Sequence, residues 1–407
     1  MVTSDSEQIF DVACVGHICL DIIPQIPDVG YTQIDEIFRP GKLINVDDAD
    51  VSTGGPVANT GLVLAKLGAR IAFIAKVGDD DFGRIIRQRL EGQGDIRGLK
   101  IEQNRGSSYS IVLAPPGIDR MFLHNPGTND IFTSADINYN LVRKAKIFHF
   151  GYPPIMKATF ENEGSELIRI FREAKKCGVT TALDFSLPDP NSQSGKVDWR
   201  QLLKHVLPYV DIFLPSIEEA FYVLDPQGFM IAHKSHGGVN LIEKLEPALF
   251  SELAAEFLRM GCKMAALKAA HRGIYFRTAV ESRIIEMGAC KPAQSDAWAS
   301  RELWCPAFQI YKIASATGAG DAAIAGFYMA LLNGETLERA LKIACCVGYQ
   351  NLHELDAVSG VRSWKETIAL LDEGSLKHHP FHIDSTGWYW DKKLELWFGP
   401  HDRMIIK

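Results

Sequence analysis

Apolar runs alternate with amphipathic stretches along most of the chain. "FDVACVGHICLDII" (10–23), "ARIAFIAKVG" (69–78), "AKIFHFGY" (145–152), "GVTTALDFSL" (178–187), "VDIFLPS" (210–216) and "CKMAALKAA" (262–270) are short, apolar and β-rich. Each lies beside a helical pattern. "PVANTGLVLAKLG" (56–68) predicts a helix stopped by Gly68, and "DDFGRIIRQRLEGQG" (80–94) predicts an amphipathic one. Strands that are apolar throughout and alternate with helices predict a parallel sheet covered on both faces. Ligands of such sheets bind beyond the carboxyl ends of the strands.

Two segments break the alternation. Residues 24–53 and 105–125 read as exposed strands and turns, with "SYSIVLA" and the "PPG" turn predicting a hairpin. Together they predict a small second sheet, which must pack on something to be stable. Residues 225–245 and 277–306 read as loop-rich insertions. From residue 382 the chain carries Trp388, Trp390 and Trp397 in an alternating pattern that predicts a terminal hairpin. Residues 1–380 are expected to form the main domain with its small sheet, and residues 381–407 a Trp-rich extension.

Composition narrows the classes without naming one. The chain has 407 residues, 46% hydrophobic and 23% charged, with a net charge of -7. There is no basic footprint for nucleic acid. No apolar run is long enough for a membrane helix. The eight cysteines include no CxxC pair, which fits a reduced, cytoplasmic chain. "LKHHPFH" (376–382) matches no zinc spacing and reads as a solvated loop.

Three places carry candidate chemistry. "TGAGD" (317–321) opens a predicted helix over 319–333. Small residues at Gly318, Ala319 and Gly320 let their N–H groups approach an anion. Asp321 beside them then has a task, accepting a proton from an attacking hydroxyl. The alternative is an acid that merely favours a helix start. "TGGPVANTG" (53–61) is either a turn with a cap or an acceptor contact through Gly55 and the Asn59 amide. Asp21 ends the first apolar run, and is a turn residue or a ligand for hydroxyls. His17 reads as a packed strand residue, while His124 on the small sheet is placed where it could touch a substrate.

"GGPVANTGLVLAKLGARIAFIAKVGDDDFG" (54–83) and "TGAGDAAIAGF" (317–327) together resemble the two signatures of the PfkB (ribokinase-like) carbohydrate kinase family. "ACVGHICLDI", "FHFGYPP", "LDFSLPDP" and "DIFLPSIEEA" resemble further landmarks in the family's order, over roughly residues 10–370. The resemblance implies a Rossmann-like three-layer α/β/α domain with a mostly parallel central sheet and a small β-sheet lid. It also implies ATP- and Mg²⁺-dependent phosphoryl transfer to a hydroxyl. Under it Asp321 is the general base, and Gly318, Ala319 and Gly320 form the anion hole. Asp21, Gly55 and Asn59 match acceptor positions. Glu219 matches the glutamate that orders Mg²⁺. Ser216, Lys268, Gly273, Ser359 and Gly360 fall on nucleotide positions.

The match has departures. Ser216 stands where the family often has Asn, and Ala270 where it usually has a glycine. Ser315 replaces the aspartate that helps relatives bind a monovalent cation, which puts potassium activation in doubt. Cys345 replaces a polar residue that often meets the nucleotide. Pro56 offers no charge where kinases of phosphorylated sugars often carry Lys, so an unphosphorylated acceptor is expected, although Arg39, Lys42, Arg105 and Arg120 are cations in the lid region.

The expected function is therefore a kinase of a small free sugar or sugar acid. One alternative is a nucleoside kinase of the same fold, with Tyr31, Phe38 or Phe122 stacking on a base. Another is a nucleotide- or sugar-binding protein whose turnover is weakened. Ile111, Leu113, Met121 and Phe122 offer an apolar lid face for a homodimer.

Overall fold

The computed structural model describes residues 9–28, 30, 33–116, 121–236 and 241–404. Its strands are β1 (Phe10–Gly16), β2 (Cys19–Pro24), β3 (Ala49–Gly54), β4 (Ile71–Gly78), β5 (Asp95–Glu102), β6 (Tyr109–Leu113), β7 (Met121–Asn125), β8 (Ala145–Gly151), β9 (Thr180–Leu183), β10 (Ile212–Phe213), β11 (Met264–Lys268), β12 (Ile274–Thr278), β13 (Glu302–Cys305), β14 (Tyr389–Asp391) and β15 (Leu396–Phe398). Eleven of them form one sheet, ordered β14-β15-β13-β12-β11-β10-β9-β8-β1-β4-β5. Pairing is parallel from β5 through to β11 and antiparallel from β11 to β14.

Period-two alternation explains why both faces are apolar. In β1, Val12 and Cys14 point into one buried layer, and Ala13 and Val15 into the other. One layer contains the helices Pro56–Lys66, Ala319–Leu332 and Leu337–Asn351. The other contains Ser165–Lys176, Trp199–Val206 and Pro247–Met260. The expected α/β/α architecture is present.

The lid is a separate four-stranded sheet, ordered β3-β2-β6-β7. It begins earlier than the composition suggests. Residues 10–23 read as one strand, but the chain turns at Gly16, whose φ is 111°, and β2 leaves the main sheet for the lid. Asp21 therefore sits on the lid, paired with Ser52 of β3, and not at the end of the central strand.

Two other readings change. Residues Pro226–His236 are helical, not loop-like, and residues 237–240 lie outside the described set. Phe229 explains the helix despite Gly228: it buries edge-on against Phe221 and Tyr222. The stretch 277–306 finishes β12, holds two short helices (Glu281–Ile284 and Ser295–Trp298) and forms β13. The terminal hairpin forms where the Trp alternation predicts it, and β15 pairs with β13 through Trp397 and Trp304.

Candidate active site

The turn before the helix Ala319–Leu332 depends on Gly318, the helix N-cap, at φ 74° in the left-handed region. A Cβ there would lie 2.3 Å from that of Ala357, so glycine is required for conformation and for space. The first-turn N–H groups of this helix have no intrahelical acceptors and carry its positive end.

Asp321 lies in that first turn and is only 3% exposed. Its Oδ2 accepts from Asn59 Nδ2 at 2.9 Å, and its Oδ1 from Thr60 Oγ1 at 3.3 Å. Both donors come from the helix Pro56–Lys66, which packs alongside. A third donor, Tyr152 Oη, comes from the loop after β8. Burial pushes the Asp321 carboxyl up, while Asn59, Lys268, Tyr152 and Thr60 oppose it. Tyr152 has φ 63° and ψ 43°, a left-handed backbone rare for an aromatic residue.

Beside the turn, Lys268 ends β11 and holds Asp184 Oδ1 at 2.5 Å. A Cβ on Gly320 would lie 3.8 Å from Lys268 Nζ, so the ammonium borders that turn. Asp184 is fully buried just beyond β9, and its Oδ2 has no partner among the described residues. Glu219 closes the group. It sits in a capping box with Ser216, whose N–H donates to Glu219 Oε2 at 2.6 Å. Burial pushes the carboxyls of Glu219 and Asp184 up, with Lys268 pulling both down. Lys268 itself is raised, because Asp184 and Glu219 outweigh its own burial. Three carboxyls, Asp184 and Asp321 buried and Glu219 partly exposed, thus share one ammonium, a set short of positive charge.

The positions expected for the acceptor border the same space. Gly54 and Gly55 form its floor: a Cβ on Gly54 would meet Asp21 Oδ2 at 2.1 Å, and one on Gly55 would meet His17 Nδ1 at 2.4 Å. Asp21 is 9% exposed and accepts from Cys19 Sγ at 3.3 Å, with its carboxyl raised by burial. The structure therefore brings Asp21, Gly55, Asn59, Asp321, Lys268 and Glu219 to one end of the sheet.

The remaining nucleotide candidates split. Gly273, at φ 86°, turns β11 into β12, with a hypothetical Cβ 2.0 Å from the carbonyl of Cys305. Cys345 Sγ approaches that same carbonyl at 3.7 Å. Ser359 is held through its backbone: its N–H donates to Asp356 at 2.7 Å and its carbonyl accepts from Lys66 at 2.7 Å. It lines a cleft of about 880 Å³ between β3 and residues 354–359, and Gly360 packs on the carbonyl of Gln350. Ala270 adopts φ 47°, so the alanine takes the conformation that glycine would favour. Ser315 Oγ donates to Thr317 Oγ1 at 3.0 Å. The lid cations are engaged locally: Arg39 on the Asp35 carbonyl, Lys42 on that of Glu36, and Arg105 with Asp130. Phe38 and Phe122 are 38% and 48% exposed, and Tyr31 and Arg120 lie outside the described residues.

Sequence reasoning misses Tyr152, Asp184 and Thr60. Asp184 carried a usable signal, an acid directly after a buried strand.

Solved structures share the fold. A fructokinase with bound ATP from Xylella fastidiosa superposes with a TM-score of 0.66 at 16% identity, covering 90% of this chain and 99% of that one. An Arabidopsis thaliana ribokinase complexed with ribose and ATP gives 0.64 at 18% identity, covering 89% and 98%. This is a ribokinase-like fold. The pfkB family carbohydrate kinase model matches residues 10–364, and the chain belongs to that family. Among curated relatives it is 26% identical over 182 residues to a probable fructokinase-3 of Arabidopsis thaliana, covering 44% of this chain and 48% of that protein. It is 30% identical over 152 residues to a probable fructokinase-7 of the same plant, covering 37% and 40%. The chain thus spans about half or less of the length of these relatives.

Proposed function

We propose that this protein is an ATP- and Mg²⁺-dependent kinase that transfers the γ-phosphoryl group to a hydroxyl of a small unphosphorylated sugar or sugar acid. The observation that carries the reading is Asp321, buried in the first turn of a helix whose N-cap is a left-handed glycine, with Lys268 alongside. A carboxylate next to an anion-binding turn suits proton acceptance from a hydroxyl that attacks phosphorus. Fructokinases among the relatives support a sugar as acceptor.

In this reading Asn59 and Thr60 aim the Asp321 carboxylate, and Asp21 and Gly55 bind acceptor hydroxyls. The N–H groups of Gly318, Ala319 and Gly320 take the transferring group, helped by Lys268. Ser216, Gly273, Ser359 and Gly360 belong to the nucleotide side. The donor set fits a divalent cation: Asp184 Oδ2 lacks a partner among the described residues, and Glu219 and Asp184 are hard oxygen ligands that share one ammonium. When bound, Mg²⁺ neutralises the polyphosphate. A putative ribokinase II from Escherichia coli has been solved in complex with ATP and Mg²⁺. Turnover is expected without potassium, since Ser315 supplies no carboxylate. The engaged lid cations and Pro56 favour an acceptor without phosphate.

Among the described residues no helix is long and apolar enough to cross a membrane. Eight free cysteines support a reducing, cytoplasmic setting. Met121 and Phe122, 37% and 48% exposed, support a homodimer through the lid.

The test is acceptor-dependent ADP release from MgATP with free sugars, sugar acids, polyols and nucleosides, using Asp321→Asn as control. A sugar-dependent signal absent in the variant is expected. A signal with nucleosides alone would replace the sugar reading by a nucleoside kinase. Measurable MgATP binding with no acceptor-dependent release would favour a binding protein.

A further inference from the structure

His17 occupies the short gap between β1 and β2, at the junction of main sheet and lid. Its side chain is 2% exposed, yet among the described residues neither Nδ1 nor Nε2 has a hydrogen-bond partner. Buried polar atoms are nearly always paired. The other histidine buried in this region follows that rule on one side, with His149 Nδ1 3.0 Å from Tyr328 Oη. A histidine packed only to fill the core does not need both nitrogens left bare.

Its neighbours lead to the groups proposed for the acceptor. The ring centre lies 6.0 Å from that of Tyr152, whose hydroxyl reaches Asp321. On the other side it lies 5.4 Å from His124 of β7, which meets Ser110 Oγ at 3.0 Å. Ser110 in turn neighbours Cys19 at 3.9 Å, and Cys19 holds Asp21. Gly55 leaves Nδ1 the room that a Cβ would fill. A polar wall therefore runs from Asp21 on the lid to Asp321, and His17 is its unpaired member. Burial keeps His17 neutral, with His124 adding to the effect. A neutral imidazole offers one donor and one acceptor, a match for two neighbouring hydroxyls of a polyol.

We propose that His17 is a specificity-determining contact for the acceptor. Its two nitrogens bind hydroxyls flanking the one delivered to Asp321, once His124 and the lid move aside. The proposal rests on the sugar-kinase reading and extends it to a residue on β1's end.

The test measures acceptor and ATP KM for wild type, His17→Ala and His17→Asn, with D-fructose, D-ribose and the monodeoxy analogues of the better substrate. A lost hydrogen bond of this kind costs roughly tenfold or more in acceptor KM for His17→Ala, with the ATP KM within about twofold. The two deoxy positions flanking the phosphorylated hydroxyl should each weaken the wild type by roughly tenfold and leave His17→Ala no worse. His17→Asn, which keeps a donor and an acceptor, should recover part of the loss, and it serves alone where His17→Ala does not fold. An acceptor KM within about twofold of wild type, or an equal loss for every analogue, overturns the proposal. Should wild type phosphorylate neither sugar, the kinase reading fails separately. Calorimetric binding of the same sugars then decides on His17: weaker binding by His17→Asn sustains the contact, and equal or absent binding overturns it.

Discussion

The phenol of Tyr152 lies 3.1 Å from Oδ2 and 3.3 Å from Oδ1 of Asp321, so one hydroxyl straddles the carboxylate proposed as the base. With Asn59 and Thr60 also donating, three donors hold the carboxylate and leave about one of its four lone-pair sites for an incoming hydroxyl. Tyr152 pays for this position with a left-handed backbone. Its contact stabilises the ionised form against the burial that raises the Asp321 pKa. Tyr152→Phe removes that donor, so the acid limb of the kcat/KM profile should move to higher pH. Turnover on the alkaline side should persist. A limb that stays in place would assign it to another group. Asp321→Asn, in contrast, should lower kcat by about a hundred- to ten-thousandfold at every pH while MgATP binding persists.

Lys268 has two tasks that double substitution separates. Its ammonium is the cation shared by Asp184, Glu219 and Asp321, and it borders the turn proposed to bind the transferring group. Lys268→Met strands buried carboxyls and should cost about 3–5 kcal/mol in urea unfolding. Adding Asp184→Asn removes the stranded charge nearest to it, so the double variant should regain much of that stability. Activity should stay lost, because the double variant lacks both the ammonium beside the turn and the Asp184 carboxylate proposed to hold Mg²⁺, and Asp184→Asn alone measures the second loss. Recovery of activity together with stability would make Lys268 purely structural.

The site was legible where chemistry is local. The sequence TGAGD joins a left-handed glycine, small residues and an acid within five positions, and the helix begins at Ala319 as expected. Contacts between distant segments were not legible. Tyr152 and Asp321 are 169 residues apart, and nothing in "FHFGYPP" states which way the tyrosine turns. Asp21 reads from its pattern as the end of the central strand and lies instead on the small sheet, because one apolar run conceals the change of direction at Gly16. His17 reads as packing in the same run, and only its two bare nitrogens distinguish it.

Ala270 has φ 47° in the turn between β11 and β12. A left-handed conformation costs a non-glycine residue roughly 1–2 kcal/mol, and glycine returns part of this as extra chain entropy when unfolded. Ala270→Gly should therefore stabilise the protein by about 1 kcal/mol in urea unfolding. A destabilised variant would mean that the methyl group's packing outweighs the strain.

His149 makes stability depend on pH. It is fully buried, and burial lowers its pKa from 6.5 to about 3. The unfolded chain takes up a proton below pH 6.5 while the folded one does not until about pH 3. Folding stability should thus fall as pH drops through that window, by up to about 1.4 kcal/mol per pH unit for this group. Asp11, held at about 2 by Arg70 and Lys146 against its burial, acts only below the ordinary carboxylate range. Asp184 and Glu219, raised by burial to about 6 and about 8, gain stability on acidification in both proteins, so between pH 6 and 5 the slopes of wild type and His149→Phe should differ by up to about 1.4 kcal/mol per pH unit, with the variant losing less or gaining more as pH falls. Parallel slopes in the two proteins would place the titration elsewhere.

The Trp-rich tail is tied to the main sheet by a buried charge. Asp402 is fully buried, and its Oδ2 accepts from Arg301 Nε at 2.9 Å and from the Glu302 N–H at 2.9 Å. Arg301, 4% exposed, also pairs with Glu338 at 2.7 Å, so one guanidinium links the tail, β13 and the helix Leu337–Asn351. Removing one partner of a buried pair leaves the other uncompensated. Asp402→Ala should cost about 3–5 kcal/mol in urea unfolding, well above the 1 kcal/mol or less of a surface pair. It should leave the acceptor KM of the surviving folded protein unchanged, because β13 and the tail lie at the far side of the sheet from β1 and β4. A loss below about 1 kcal/mol would show that the tail rests on the sheet without supporting it.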